Sequence, residues 1–267
     1  MKREQQSSSS LSLNERMKLK INKHLEGLED NNNENNNKKL ELCQIGKLLS
    51  TFFTDYEILE LSERPDFLIS NNIEDVGVEL EMILDSNHKM KEGFYEGVCT
   101  KVCEEIALDD KFQNISLNLY FKPEINSIKV SKKNAIDKIT MLVKSFLLTG
   151  SLENNIYVRE VFKYTNSKRT SINPNFGAYS QRSITNNMVK EYIAKKEVKL
   201  ECYVKNSVPI QWLILVIGGL NKSSFEYRKV ISETFETNFD KVFIYEDFNN
   251  QLYKLDTKRI STNSTMD

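Results

Sequence analysis

In the run Arg64-Pro65-Asp66-Phe67-Leu68-Ile69 Asp66 opens an apolar stretch, and Glu79 sits in the middle of Val76-Gly77-Val78-Glu79-Leu80-Glu81-Met82-Ile83. Both runs have the apolar content of β-strands, and the short polar stretch between them makes them a hairpin. Successive strand residues point to opposite faces, so Val78, Leu80 and Met82 share one side of the second strand while Glu79 and Glu81 share the other. Carboxylates on so apolar a strand need a cation or a hydrogen-bond partner. If Asp66 lies beside Glu79, the two make a hard-oxygen site suited to Mg²⁺ or Mn²⁺.

Pro65-Asp66 followed by Glu79-Leu80-Glu81 resembles the motif of the PD-(D/E)XK nuclease-like superfamily, which includes restriction endonucleases and nucleases of DNA repair and recombination. The resemblance covers the hairpin and, more loosely, the elements after residue 182. It implies a metal held by Asp66, Glu79 and the backbone carbonyl of Leu80, with phosphodiester bonds of DNA as the substrate. It also implies an acid on the helix ahead of the hairpin, where Glu57 or Glu60 could join the metal site. A solvated acidic face is the ordinary explanation for either of those two. The chain departs from the family at one position, because Glu81 stands where a catalytic lysine is usual. Glu81 could be an extra metal ligand, a partner for a lysine from elsewhere, or the mark of lost catalysis.

A lysine from elsewhere is available in the sequence. After Ser183 a helix is expected, and on it Met188, Tyr192, Lys196, Lys199 and Tyr203 recur three or four residues apart, which gives them one stripe. Lysine stems often cover apolar surface while the ammonium reaches water, and that explains such a pattern without any chemistry. The resemblance implies a sharper reading, in which Lys196 first, or Lys199, reaches the acidic hairpin and replaces the cation missing at Glu81.

The elements that must position these residues follow from periodicity. Residues 1–38, with their serine run and asparagine tract, are expected to be a disordered low-complexity segment with at most a short helix around Leu13–Leu28. From Leu40, the positions Leu42, Ile45, Leu49, Phe52, Tyr56 and Leu59 have helical spacing, so one amphipathic helix is expected to run up to the hairpin. After the hairpin come a helix over Lys89–Leu108, a strand over Ile115–Phe121, a helix over Lys132–Leu148, a strand over Tyr157–Tyr164 and a loop over Thr165–Arg182. The remainder is a helix over Ser183–Lys205, a strand over Gln211–Gly218, a helix over Phe225–Phe235, and strands over Lys241–Tyr245 and Gln251–Leu255. Apolar strands alternating with helices specify an α/β fold, a mixed central sheet flanked by helices. The resemblance makes this a restriction-endonuclease-like core at 39–258, with an inserted α/β segment at about 87–182 and a flexible tail at 259–267.

Composition narrows the rest. With 267 residues, 39% of them hydrophobic, the chain can bury one sizeable core, or one with an insertion. No apolar run approaches the roughly 20 residues that span a bilayer, and no signal sequence opens the chain, so a cytoplasmic location is expected and no membrane partner. The four cysteines have unrelated spacings, which argues against a disulfide framework and a zinc site. Two histidines, His24 and His88, are too few for a histidine-based triad. A formal net charge of −1 gives no global basic signal, so any binding of DNA must come from a local patch. The basic and hydroxyl groups of Lys163 to Arg169, with Arg182, could grip phosphates, although solvated loop charges are the ordinary explanation for them. Three readings therefore stand: a Mg²⁺- or Mn²⁺-dependent endonuclease, a catalytically inactive nuclease-like module that binds nucleic acid or protein, and an unrelated α/β interaction protein. A homo-oligomer is compatible with each.

Overall fold

The computed structural model describes residues 11–28, 33–122, 130–164, 167–177, 179–204, 208–219, 221–228 and 233–260. In chain order these form α1 (Leu13–Leu25), α2 (Asn33–Phe52), β1 (Glu57–Leu61), β2 (Phe67–Ser70), β3 (Asp75–Met82), α3 (Ser86–Ala107), β4 (Ser116–Phe121), α4 (Lys132–Thr149) and β5 (Val158–Tyr164). They continue with β6 (Ser171–Asn175), β7 (Arg182–Ser183), α5 (Asn186–Val204), β8 (Ile210–Ile217), β9 (Phe225–Glu226), β10 (Phe235–Glu236), β11 (Lys241–Glu246), β12 (Gln251–Lys254) and β13 (Thr257–Lys258). The fold is α/β, with a mixed sheet flanked by helices. The chain divides into two compact units, one of residues 1–83, 182–220 and 224–267, the other of residues 84–181 and 221–223. No helix among the described residues is long and apolar enough to cross a membrane.

The first unit is built on a six-stranded sheet in the order β1-β2-β3-β8-β11-β12. The hairpin pairs are antiparallel, while β8 runs parallel to both β3 and β11. Strand β8 shows why this sheet is covered on both sides, since every residue from Gln211 to Ile217 is buried. Its Trp212, Ile214 and Val216 join a core with Leu42, Ile45 and Leu49 of α2. Its Leu213, Leu215 and Ile217 join another with Val189 and Ile193 of α5. A fully apolar strand in a parallel setting is the pattern expected for burial on two faces.

Helix α1 and the turn after it, to Leu28, lie where the short helix around Leu13–Leu28 is expected, and α2, which starts at Asn33, corrects the expectation of disorder up to residue 38. Ser12 and Glu15 form a reciprocal cap, with the Glu15 N–H donated to Ser12 Oγ at 3.3 Å and the Ser12 N–H donated to Glu15 Oε2 at 2.8 Å. Met17, Ile21 and Leu25 then recur at helical spacing and pack on the α2 core, with Ile21 fully buried. Gly46 of α2 makes the close approach of the two helices possible, because a Cβ there would collide with the Ile21 side chain. The asparagine tract ends inside α2 itself, whose first turns include Asn35 and Lys38.

Three other expectations are corrected. The helix expected from Leu40 to the hairpin stops at Phe52, and Glu57–Leu61 is the strand β1. Leu59, counted among its apolar positions, is exposed while Ile58 is completely buried, so the period has changed from 3.6 to 2. The expected loop at Thr165–Arg182 contains β6, which pairs with β4 on one side only. Pro174 is tolerated there because an edge strand needs no N–H from it on its open side. The helix expected over Phe225–Phe235 begins and ends in the short strands β9 and β10, while residues 229–232 lie outside the described residues, as do 1–10 and 261–267.

The second unit has its own core. A three-stranded sheet in the order β5-β4-β6 carries Leu117, Leu119 and Phe121 on one face of β4, and these pack with Val98, Val102 and Ile106 of α3 and Ile139 and Val143 of α4. Alternating burial along β4 is that of a sheet covered on one side.

Candidate functional site

The site lies in the first unit, where β2 and β3 part. Their antiparallel ladder runs from Ser70 opposite Asp75 to Phe67 opposite Val78. Beyond it β3 continues alongside β8, with Glu79 opposite Leu213 and Glu81 opposite Leu215, while the chain before Phe67 turns away. Asp66 stands at this fork and its Oδ2 accepts the Leu80 N–H at 2.8 Å. The side chain thus caps the ladder donor that β2 no longer reaches. Leu80 joins the site through this backbone bond, its own side chain lying in the α2 core.

Val76, Val78 and Leu80 face the core of α2, as the alternation along β3 requires, which leaves Glu79 and Glu81 on the side of α5. Lys196 of α5 meets both. Its Nζ lies 2.5 Å from Glu79 Oε1 and 2.7 Å from Glu81 Oε2. Lys195 pairs with the other oxygen of Glu81. Glu79 and Lys196 are both buried, at 3% and 6% exposure. Burial alone would push the Lys196 ammonium down, but its hydrogen bonds to Glu79 and Glu81 outweigh that and hold it above the ordinary lysine range. Glu81 is also half-buried, yet its bonds to Lys195 and Lys196 hold it below the usual carboxylate range.

The second oxygen of Glu79 has a different environment. Oε2 is buried and has no hydrogen-bond partner among the described residues. Burial, and then the charge of Glu79, push the Asp66 carboxyl up to about 7. Glu41 of α2 belongs to the same electrostatic group, since burial raises it, Lys38 offsets part of that, and Glu79 raises it further. Lys38, one turn before Glu41, donates to the Ser62 carbonyl at 2.8 Å and lies 3.8 Å from Asp66 Oδ1 and 3.7 Å from Glu41 Oε2. The buried Glu79 and the half-buried Asp66 and Glu41 therefore form an acidic group whose negative charge is only partly met by Lys38 and Lys196. Among the described residues no group of three or more His, Cys, Asp or Glu side chains is placed to hold a metal ion. What the site offers a cation is a pair of hard oxygen donors, the unpartnered oxygen of Glu79 and the carboxyl of Asp66.

Of the residues expected from sequence, the structure brings together Asp66, Glu79, Leu80, Glu81 and Lys196. It places Lys199 in an exposed position on α5, at the margin of the stripe on which Lys196 and Leu200 are buried. Glu57 and Glu60 are corrections. Both are exposed on strand β1, and Glu57 is occupied by Lys20 at 2.7 Å. The acid that α2 brings into electrostatic reach of Asp66 and Glu79 is Glu41 instead. A signal for it exists in the sequence, since Glu41 stands four residues before Ile45 and seven before Leu48, both fully buried, and so occupies the core stripe of its own helix. Comparisons of the chain with protein-family models, with curated proteins and with solved structures give no match.

Proposed function

We propose that the chain is a divalent-metal-dependent nuclease that hydrolyses phosphodiester bonds of DNA. The observation that carries this reading is the buried Glu79 carboxylate, held by Lys196 through one oxygen and unpartnered at the other, beside an Asp66 pushed up to about 7. Asp66 and Glu79 would hold the ion, with Glu41 adding to the negative field around it. A bound Mg²⁺ or Mn²⁺ supplies Lewis-acid polarisation of the phosphate and a water of lowered pKa. The residues of the chain supply the remainder. Lys196 is a charged donor fixed in a buried site, suited to stabilising negative charge as it develops on a phosphate, and it keeps its proton because Glu79 and Glu81 hold it. Glu81 orients that lysine, which accounts for an acid at the position where the resembled superfamily has its lysine. Lys38 holds Asp66 and Glu41 near one another against their mutual repulsion. DNA as the substrate, an intracellular location and a homo-oligomeric state belong to the same proposal.

A second reading is favoured by one observation. Lys196 bonds to two carboxylates at once, so its charge is already compensated, as in a nuclease-like module that binds nucleic acid without cutting it. One experiment separates the two. Purified full-length protein is incubated with supercoiled, linear and single-stranded DNA in Mg²⁺ or Mn²⁺, beside Asp66→Ala and Glu79→Ala. Cleavage by the wild type that both substitutions abolish supports the nuclease. Retention of DNA without cleavage under every condition supports the binding module.

A further inference from the structure

The second unit contains a cavity of about 140 Å³ that the acidic site does not use. Four cationic side chains line it: Lys91 of α3, Lys122 just after β4, Arg159 of β5 and Lys222. Against these stands one carboxylate, Glu92, and it is already engaged. Glu92 is buried, and it accepts the Ser223 N–H at 2.9 Å and the Ser223 hydroxyl at 2.6 Å. The Ser223 carbonyl in turn accepts the Asp85 N–H at 2.8 Å. Three hydrogen bonds thus fix Ser223 and hold its neighbour Lys222 at the cavity wall. Lys122 is fixed as well, by donation to the Asn155 carbonyl at 2.5 Å.

The opposite character comes from aromatic rings. Tyr95 and Phe121 are buried and stacked with ring centres 4.1 Å apart, and Phe176 lies 5.8 Å from Tyr95 and is only partly buried. Phe176 precedes Gly177, whose φ of 75° is one that a side-chain-bearing residue rarely adopts, and the Gly177 N–H is donated to Asn175 Oδ1 at 2.9 Å. This tight turn sets the Phe176 ring in the wall, and a Cβ at Gly177 would meet the Arg159 guanidinium. The cavity is smaller than the roughly 300–1,000 Å³ of pockets that enclose a whole small molecule, so with its clustered cations it suits the anionic end of a ligand whose flat end rests outside, against the half-open Phe176 ring. We propose that this cavity binds a nucleotide, its phosphate among Lys91, Lys122, Arg159 and Lys222 and its base against Phe176. The nucleotide is either free or the terminal residue of a nucleic-acid strand, and both present the same chemistry to the cavity.

The test is equilibrium binding to the full-length protein at low salt. The probes are AMP, ATP, inorganic phosphate, and one oligonucleotide with either a 5′-phosphate or a 5′-hydroxyl. The expected result is binding of the nucleotides or of the phosphorylated oligonucleotide, weakened about tenfold by Arg159→Ala and by Lys222→Ala, both at exposed positions. Phe176→Leu, which preserves packing, is expected to weaken nucleotide binding about tenfold and to leave inorganic phosphate unaffected. Binding of free nucleotides identifies them as the ligand, whereas binding of the phosphorylated oligonucleotide alone identifies a strand end. Glu79→Gln is expected to bind as the wild type does, so loss of nuclease activity and loss of this site are separate outcomes. No binding of any nucleotide or phosphorylated strand, or binding that all three cavity variants retain, overturns the proposal. Inorganic phosphate binding as tightly as AMP overturns it too.

Discussion

Lys196 holds Glu79 through one carboxylate oxygen, Oε1 at 2.5 Å, and leaves the other, Oε2, buried without a partner among the described residues. The lysine comes from α5 and the acid from β3, so the pair joins the helix to the sheet where β2 and β3 separate. A buried ion pair costs desolvation that it recovers only when both charges are present.

Removing Lys196 is therefore expected to be costly. Lys196→Ala leaves Glu79 and Glu81 facing each other without their buried cation, and a loss of about 3–5 kcal/mol is expected, the range for breaking one side of a buried pair. Lys199→Ala, at an exposed position on the same helix, should stay within about 0.5 kcal/mol. Urea denaturation of the two variants side by side measures the difference. Equal destabilisation would remove Lys196 from its assigned place.

Asp66 sets a pH dependence whose direction follows from its environment. The folded-state carboxyl titrates at about 7 and the unfolded one near the ordinary aspartate value of 3.8, so between these values the folded chain holds a proton that the unfolded chain has released. Asp66 should therefore add stability to the metal-free protein as pH falls from 8 through 7 towards 5, while His24, held low by burial, acts against it below the ordinary histidine range. Asp66→Asn should remove the Asp66 contribution. Glu81, held low by its lysines, acts in the opposite direction only in more acid solution, as pH falls below the ordinary glutamate range and through its lowered value. Melting temperatures at intervals from pH 5 to 8, in the presence of a chelator, provide the measurement.

The N-terminal helix is expected to be part of the folded unit. Ile21→Ala should cost about 2–5 kcal/mol, as for other fully buried Ile-to-Ala changes. Gly46→Ala should destabilise as well, although alanine favours a helix by about 1 kcal/mol over glycine, because its Cβ would collide with Ile21. Unchanged stability in both variants would detach α1 from the core.

Glu41 and Lys38 should matter to activity where Glu57 and Glu60 should not. Glu41→Gln and Lys38→Met are expected to lower the rate of DNA cleavage about tenfold to a hundredfold, in line with removing one electrostatic contributor to a preorganised site. Glu57→Gln and Glu60→Gln should cleave at the wild-type rate. The reverse pattern would return the site to the acids of β1.

These residues also mark how far the sequence alone reaches. The hairpin was legible because alternation along Val76 to Met82 fixes which side chains share a face, and the structure keeps that assignment. Lys196 was legible through its place on an apolar stripe together with the resemblance that calls for a lysine near Glu81, and it is preferred to Lys199 on the same stripe. The helical period along Leu40 to Leu59 persisted by coincidence into β1, which hid the change at Thr54 and moved the helix acid from Glu41 to Glu57 and Glu60. Lys38 was lost to composition, since a tract of asparagines resembles a linker until the tertiary contacts of α2 are known. The cavity of the second unit was not legible, because Lys91, Arg159 and Lys222 come from three separate places in the chain and only the fold brings them together.

Metal binding itself is the most direct measurement. Mn²⁺ added to the chelator-treated protein at pH 8, where Asp66 is ionised, should raise the melting temperature by about 5–10 °C when the ion reaches a hundredfold excess over its dissociation constant. Calorimetric titration should show the same binding, weakened at least tenfold in Asp66→Asn and in Glu79→Gln and diminished in the wild type at pH 6. Binding that is absent in the wild type, or that survives both substitutions undiminished, would contradict a metal site at the fork of β2 and β3.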